Sequence, residues 1–217
     1  MTLLDFARGP AMQISIIIFV LGIVWRLVGV WGLRHKKDLS EARSKGAWVG
    51  GLKGLVAHAW PYKPFAPKVS YQYIIGYVIH VGLFIVLFFG TPHMLFFADI
   101  VGFTWWTLPG GVITFIAVIT TVALFIALGR RLTNPVQRLI SNFDDYATWF
   151  VTTLPFVTGL ATNANLWPDY ETGLAIHLLS VWLLLIYFPF GKLMHSFWFV
   201  VSRYTTGSRF ARRGGMA

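Results

Sequence analysis

Residues 71–90 read YQYIIGYVIHVGLFIVLFFG and contain no Lys, Arg, Asp or Glu. An α-helix needs about 20 predominantly apolar residues to cross the hydrocarbon core of a bilayer. This stretch has that length, and the imidazole of His80 is the side chain within it that titrates near neutral pH. The sequence therefore predicts a transmembrane helix that carries one histidine.

Four other apolar segments have a comparable length. We expect five spans, at about residues 11–33, 70–90, 111–128, 144–161 and 174–201. The 144–161 segment contains Pro155 and is shorter than a typical span, so its helix could begin earlier, near Asn142. The chain is 56% hydrophobic and 12% charged, against about 25% charged residues in soluble domains. We predict a single all-α membrane domain over residues 1–217, and this composition excludes a soluble enzyme.

The sequence contains no cysteine. Disulfides, thiolate zinc sites, iron–sulfur clusters and thioether-linked haem all require cysteine. Any metal chemistry in this chain must therefore rest on histidine or carboxylate ligands.

The basic residues predict the orientation of the chain, because Lys and Arg in short loops resist translocation. Residues 34–69 carry eight of them, residues 129–145 three and residues 202–217 four, whereas loops 91–110 and 162–173 carry none. We expect the N-terminus outside, the C-terminus in the cytoplasm, and a multi-pass protein of the cytoplasmic membrane. The net charge of +10 is then a topology signal rather than a nucleic-acid site, and the basic face is also available to a soluble partner.

Four of the six histidines lie in or at the ends of the spans, namely His80, His93, His177 and His195. Ionisable residues at membrane depth are costly and usually functional. His177 and His195 are 18 residues apart, which is five turns of an ideal helix and about 27 Å. Since the second span runs the opposite way, depth pairs His80 with His195 near the inner face and His93 with His177 near the outer face. His35 and His58 fall in the first inner loop, and we interpret them as solvated.

Two histidine pairs between antiparallel helices predict two bis-histidine haems, one in each leaflet. Isolated polar residues that bond across helices are the alternative for each histidine taken alone. The 13 residues from His80 to His93 turn an ideal helix by about 220°, so the outer pair requires a kink, which Gly90 and Pro92 could supply.

Several motifs around these histidines resemble the haem b gamma subunit of respiratory nitrate reductase. They are closer still to the shorter cytochrome b members of that superfamily, which accompany heterodisulfide-reductase-like iron–sulfur proteins or nickel–iron hydrogenases. The most specific match is His177 followed by Phe188-Pro189-Phe190-Gly191-Lys192-Leu193-Met194-His195. The other matching segments are FARGP at 6–10, Gly22 to Arg26 as G-x-x-x-R, HVG at 80–82 with TPH at 91–93, and RLTNPV at 131–136.

The resemblance implies a five-helix cytochrome that passes electrons between membrane quinone and a cytoplasmic iron–sulfur subunit. Its metal ligands would be His80, His195, His93 and His177. In the nitrate reductase pattern the second ligand lies ten residues after the first, where this chain has Gly90, so one haem or two stays open. The protein would be the electron-transfer subunit of an oxidoreductase complex and not catalytic alone.

Two basic residues near the inner face are candidates to pair with haem propionates, because a carboxylate in a low-dielectric setting needs a cation. Arg26 lies eight residues before the inner charged run, and Lys192 lies one turn before His195. Snorkelling to the headgroups is the alternative for Arg26. Near the outer face, candidates for a quinone site are Trp105, Trp106, Asp99, Asp169, Tyr170 and Glu171.

Two other functions stay open from the residues. The first is a transporter or proton channel with histidine relays, which the lack of acidic residues inside the spans and of inverted repeats weakens. The second is a membrane anchor without a cofactor. Haem binding separates both alternatives from the cytochrome.

Overall fold

The computed structural model describes residues 1–33, 39–57 and 59–215. His35 and His58 lie outside the described residues. Within these residues all regular structure is helical, with no strand. The α-helices are α1 (Leu3–Phe6), α2 (Met12–Trp31), α3 (Ala47–Ala57), α4 (Ala66–Phe89), α5 (Thr91–Val101), α6 (Gly110–Thr133), α7 (Pro135–Ile140), α8 (Phe143–Asn163), α9 (Tyr170–Tyr187) and α10 (His195–Arg212). A π turn (Ala7–Ala11) joins α1 to α2, and 3₁₀ turns (Lys63–Phe65 and Lys192–Met194) precede α4 and α10.

Four helical stretches of the described chain are long and apolar enough to cross a membrane: Leu3–Trp31, Lys63–Phe89, Gly110–Thr133 and Tyr170–Tyr187. They confirm the prediction of an all-α, multi-pass membrane protein. The helix α8 has 21 residues, starting at the Asn142 cap, but it is less apolar than these four. Asp144, Asp145 and five threonines lower its hydropathy, so a fifth span stays a prediction.

The predicted 174–201 span is not one continuous helix. The helix α9 ends at Tyr187, residues 188–191 form a turn, and helical structure resumes at Lys192. Pro189 has no N–H for the helix ladder and its ring clashes with the carbonyl four residues earlier, while Gly191 adopts an extended conformation (φ −101°, ψ −174°). The five-turn spacing between His177 and His195 therefore does not apply, because it assumes an unbroken helix.

The described residues fall into two compact units. Unit 1 comprises Met1–Ile18 and Tyr71–Tyr187. In it α8 packs between α6 and α9, and the π turn with α1 packs on α9. Two bonds join α8 to its neighbours: Trp149 Nε1 donates to Leu124 O of α6 at 2.8 Å, and Tyr187 at the end of α9 donates its hydroxyl to the Asp144 carboxylate.

Unit 2 comprises Phe19–Ser70 and Phe188–Ala217. Its main contact is α3 against α10, and glycines make that contact close. A Cβ on Gly54 would lie 2.7 Å from Arg203 O, and one on Gly207 would meet Gly50 O. In the same unit, Gly22 of α2 lies against the buried Pro189, whose Cγ would be 2.6 Å from a Cβ at position 22. Small residues thus let helix backbones approach closely.

Candidate functional site

The structure brings His93 and His177 together inside unit 1. Their ring centroids are 6.0 Å apart, with 36° between the ring planes. Nitrogen ligands bind metals such as zinc at about 2 Å, and two imidazoles on opposite sides of an ion with bonds of that length have centroids about 6 Å apart. The separation of these two rings therefore fits coordination of one metal ion between them.

A helix break places His93. The helix α4 ends at Phe89, Gly90 is extended (φ −74°, ψ 127°) as the N-cap of α5, and Pro92 lies in the first turn of α5. This is the kind of interruption that Gly and Pro cause. The ring then turns back onto α4, where its Nδ1 donates to Val86 O at 2.8 Å.

His177 lies in the middle of α9 and faces α8. A Cβ on Gly159 would lie 3.1 Å from His177 Cε1, so the absence of a side chain at that position lets the imidazole approach α8. Its Nδ1 is 3.2 Å from Thr158 Oγ1. Thr158 Oγ1 is in turn 3.0 Å from Ser180 Oγ, and Ser180 Oγ donates to His177 O at 2.6 Å. His177 is thus held by hydroxyl groups from two helices.

His80 and His195 have similar local arrangements in separate units. In unit 1, His80 Nδ1 donates to Gly76 O at 2.7 Å. In unit 2, His195 opens α10 and its Nδ1 donates to Lys192 O at 2.7 Å. A carbonyl only accepts, so these bonds put the proton of each neutral ring on Nδ1 and the lone pair on Nε2. The pairing of His80 with His195 stays a prediction.

The two basic candidates both lie in unit 2, as His195 does. Arg26 is exposed on α2. Lys192 is exposed in the 3₁₀ turn before α10, and it is joined to His195 through its main-chain carbonyl. Roles for these side chains beside haem propionates remain predictions.

Most of the quinone-site candidates have structural roles or lie exposed. Trp105 Nε1 donates to Phe88 O at 2.6 Å, and Trp106 packs against Phe89 with ring centroids 4.5 Å apart and ring planes tilted by 34°. Asp169 caps α9, because its carboxylate accepts from Thr172 N and Thr172 Oγ1, both at 2.8 Å. These bonds, the main-chain one first, hold the pKa of Asp169 below its ordinary value. The remaining candidates, Asp99, Tyr170 and Glu171, are exposed.

The sequence analysis did not identify Thr158, Gly159 and Ser180. Hydroxyl residues in transmembrane helices usually bond to their own helix, so their presence alone gave no signal. The spacing of Ser180 did contain a signal. Ser180 lies three residues after His177, so on a helix its hydroxyl reaches the main-chain carbonyl of His177. In the described residues no group of three or more His, Asp or Glu side chains could hold a metal, so any metal bound at His93 and His177 would be held by two protein ligands.

Comparison with known proteins gives one informative relative. A protein of Nitratidesulfovibrio vulgaris (strain Hildenborough), described only as a protein, is 29% identical to this chain over 97% of its length and 95% of the relative. No family model matches the chain, and no solved structure matches it. The two sequences therefore align over nearly the whole of both chains.

Proposed function

We propose that the protein is a dihaem b-type cytochrome, the membrane subunit of a respiratory oxidoreductase complex. It exchanges electrons between quinone near the outer face and a cytoplasmic iron–sulfur subunit of the heterodisulfide-reductase-like type. The observation that carries this proposal is the pair His93 and His177, whose rings lie 6.0 Å apart. Bound haem would supply one-electron transfer through its iron.

The hydrogen bonds at Nδ1 support haem ligation by three of the four histidines. Histidines that bind a metal usually donate their other ring N–H to a carbonyl or a carboxylate, which fixes the tautomer and the orientation of the ring. His80, His93 and His195 make such a bond to a main-chain carbonyl. These bonds fix the tautomer of each ring, with the proton on Nδ1.

The topology is part of the proposal. With α8 as a fifth span, the N-terminus lies outside and the C-terminus in the cytoplasm, because the Lys- and Arg-rich loops then share the cytoplasmic side. The outer pair would hold one haem and the inner pair, His80 with His195, the other. Arg26 and Lys192 would neutralise propionates of the inner haem. The basic cytoplasmic side would receive the iron–sulfur partner, since this cysteine-free chain cannot hold such clusters.

The test is a dithionite-reduced minus oxidised spectrum of the purified protein, with haem quantified per chain. We expect two low-spin haems b. Each of His93→Ala and His177→Ala should lower the content to one, and so should each of His80→Ala and His195→Ala. The matched controls are His35→Ala and His58→Ala, which should keep both haems.

The possible results separate the rival functions. A protein that binds no haem would overturn the proposal and favour a histidine-relay transporter or a haem-free anchor. One haem that is lost in His93→Ala but not in His195→Ala would restrict the proposal to the outer pair. Loss of haem in the control variants would contradict the assignment of ligands.

A further inference from the structure

The four histidines differ in what holds Nδ1. In His80, His93 and His195 the acceptor is a main-chain carbonyl of a residue three to seven positions earlier, at 2.7 to 2.8 Å. In His177 the neighbour is a side-chain hydroxyl on another helix, Thr158 Oγ1 at 3.2 Å. A main-chain carbonyl is present whatever the side chain is. His177 also has the main-chain carbonyl of Pro155 within hydrogen-bond reach, but among these four contacts only the one to Thr158 depends on residue type.

The other hydrogen bonds of the two hydroxyl groups favour one direction for this bond. A hydroxyl has a single proton to donate, and Thr158 Oγ1 donates to Leu154 O at 2.9 Å. Ser180 Oγ likewise donates to His177 O at 2.6 Å. Thr158 Oγ1 therefore has its lone pairs available, and a neutral His177 that coordinates through Nε2 carries its proton on Nδ1. The imidazole donates and Thr158 accepts.

The network is well shielded. Thr158 is 6% exposed and Ser180 is 3% exposed, so water does not compete for these groups. Inside a protein, where the effective dielectric constant is low, a hydrogen bond is electrostatically stronger than in water. An acceptor at Nδ1 makes an imidazole more basic at Nε2, and such partners tune the metal that the imidazole binds.

We infer that Thr158 is a positioning residue that sets the tautomer and basicity of His177 and thereby the reduction potential of the outer haem. This inference rests on the proposed function. A more basic ligand favours the oxidised iron, so loss of the acceptor should raise the potential of the outer haem. The inner haem, whose ligands bond to main-chain carbonyls, should keep its potential.

The experiment is a potentiometric titration of the purified haem-loaded protein, with haem content measured for every variant. Thr158→Val keeps the volume of the side chain and removes the acceptor. One of the two redox transitions belongs to the outer haem, and it is identified by its loss in His93→Ala. We expect the potential of this transition to shift upward in Thr158→Val. The expected size is about tenfold in the reduction equilibrium, which is about 59 mV for one electron.

Three further variants make the result specific. Thr158→Ser keeps the hydroxyl and should restore the wild-type potential, and Ser180→Ala should leave the potential unchanged, because the Ser180 hydroxyl donates to His177 O and not to Thr158. The matched control is Thr162→Val, one turn along α8, because the Thr162 hydroxyl donates to Thr158 O at 2.8 Å and its removal leaves the His177 bond in place. Low-spin electron paramagnetic resonance signals of the oxidised protein should change in Thr158→Val alone among the threonine variants.

Failure of this inference is distinguishable from failure of the proposed function. A Thr158→Val protein with two haems and unchanged potentials would overturn the inference and leave the cytochrome intact. Thr158→Val could also lose the outer haem. In that case, a Thr158→Ser protein that keeps the outer haem at the wild-type potential supports the role of the hydroxyl. Loss of the outer haem in both variants overturns that role. A wild-type protein without haem would overturn the proposed function itself.

Discussion

The helices inside unit 1 and the helices inside unit 2 are held together by different kinds of contact. In unit 1 polar side chains join the helices: Thr158, Ser180 and His177 link α8 to α9, and Arg131 binds Asp145 at 2.9 Å between α6 and α8. In unit 2, glycines let the backbones of α3 and α10 touch. The charges differ as well, since unit 1 has six acidic and four basic residues, and unit 2 has two acidic and fourteen basic residues.

The difference shows what each kind of contact provides. Glycine contacts bring two backbones close but fix no side-chain orientation. Polar contacts in a low-dielectric interior orient the groups that they join, because an unsatisfied buried partner is costly. The unit that contains His93 and His177 adds polar contacts to a close glycine contact, that of Gly159 with His177, which suits a site that depends on the direction of two rings.

The largest effect that we expect comes from Gly207→Ala, which tests the glycine contact. The new Cβ would meet Gly50 O and lie 2.9 Å from Gly54 Cα, and neither backbone atom can rotate away. Overpacking of this kind costs about 3 kcal/mol, measured as the free energy of unfolding in mixed detergent micelles.

The matched control for this change is Gly29→Ala. A Cβ at that position of α2 has nothing within 4 Å, so the control should be neutral or slightly stabilising, because alanine favours helix over glycine. Equal stability of the two variants would show that α3 and α10 do not depend on close backbone contact.

Arg131→Ala tests the polar contacts of unit 1. Arg131 Nη1 also donates to Ser141 Oγ at 2.8 Å, and the side chain of Asp145 is only 8% exposed. Removal of the cation leaves a nearly buried carboxylate, so we expect the free energy of unfolding to fall by about 2 kcal/mol. This is less than the cost for a fully buried pair, because Arg131 is one-third exposed. Arg131→Ala with Asp145→Asn should recover most of it, and a double variant as unstable as Arg131→Ala would contradict this account.

A smaller effect should follow from Tyr187→Phe, which deletes the hydroxyl that binds Asp144. The same hydroxyl is 3.2 Å from Thr148 Oγ1, so its loss removes contacts between the ends of α8 and α9. We expect about 1 kcal/mol of destabilisation by the same unfolding measurement. Tyr170→Phe, at an exposed position of α9, serves as the control, and an equal effect of both changes would contradict the contact.

The smallest effect concerns Asp169 at the start of α9. Its pKa is lowered by Thr172, so its cap stabilises the fold above the ordinary pKa of about 3.9 and loses this contribution as the pH falls through the lowered pKa. Asp169→Ala should lower the melting temperature slightly at pH 7, and the difference from wild type should shrink in acid. Asp169→Asn should retain the cap, because Asn caps as well as Asp. A difference for Asp169→Ala that does not depend on pH would contradict the capping role.

Apolar length was enough to predict the membrane class and the approximate positions of four spans. It could not distinguish a bent helix from a broken one at Pro189, because a proline inside a helix is compatible with both outcomes. The kink at Gly90 and Pro92 was visible in the sequence. The position of Thr158 beside His177 was not, since it depends on the rotation of α8 against α9, which no local pattern specifies.

The π turn at Ala7–Ala11 has a consequence for how the gene can change. A π turn accommodates one extra residue in a helix, and here it includes Pro10, while Ala7 and Ala11 are buried. A deletion of one residue within the turn would restore regular winding and leave the flanking turns close to their present register, whereas the same deletion inside α2 would rotate one part of the helix by about 100° relative to the other. Homologous genes should therefore tolerate the loss of a single codon in this segment more readily than within α2.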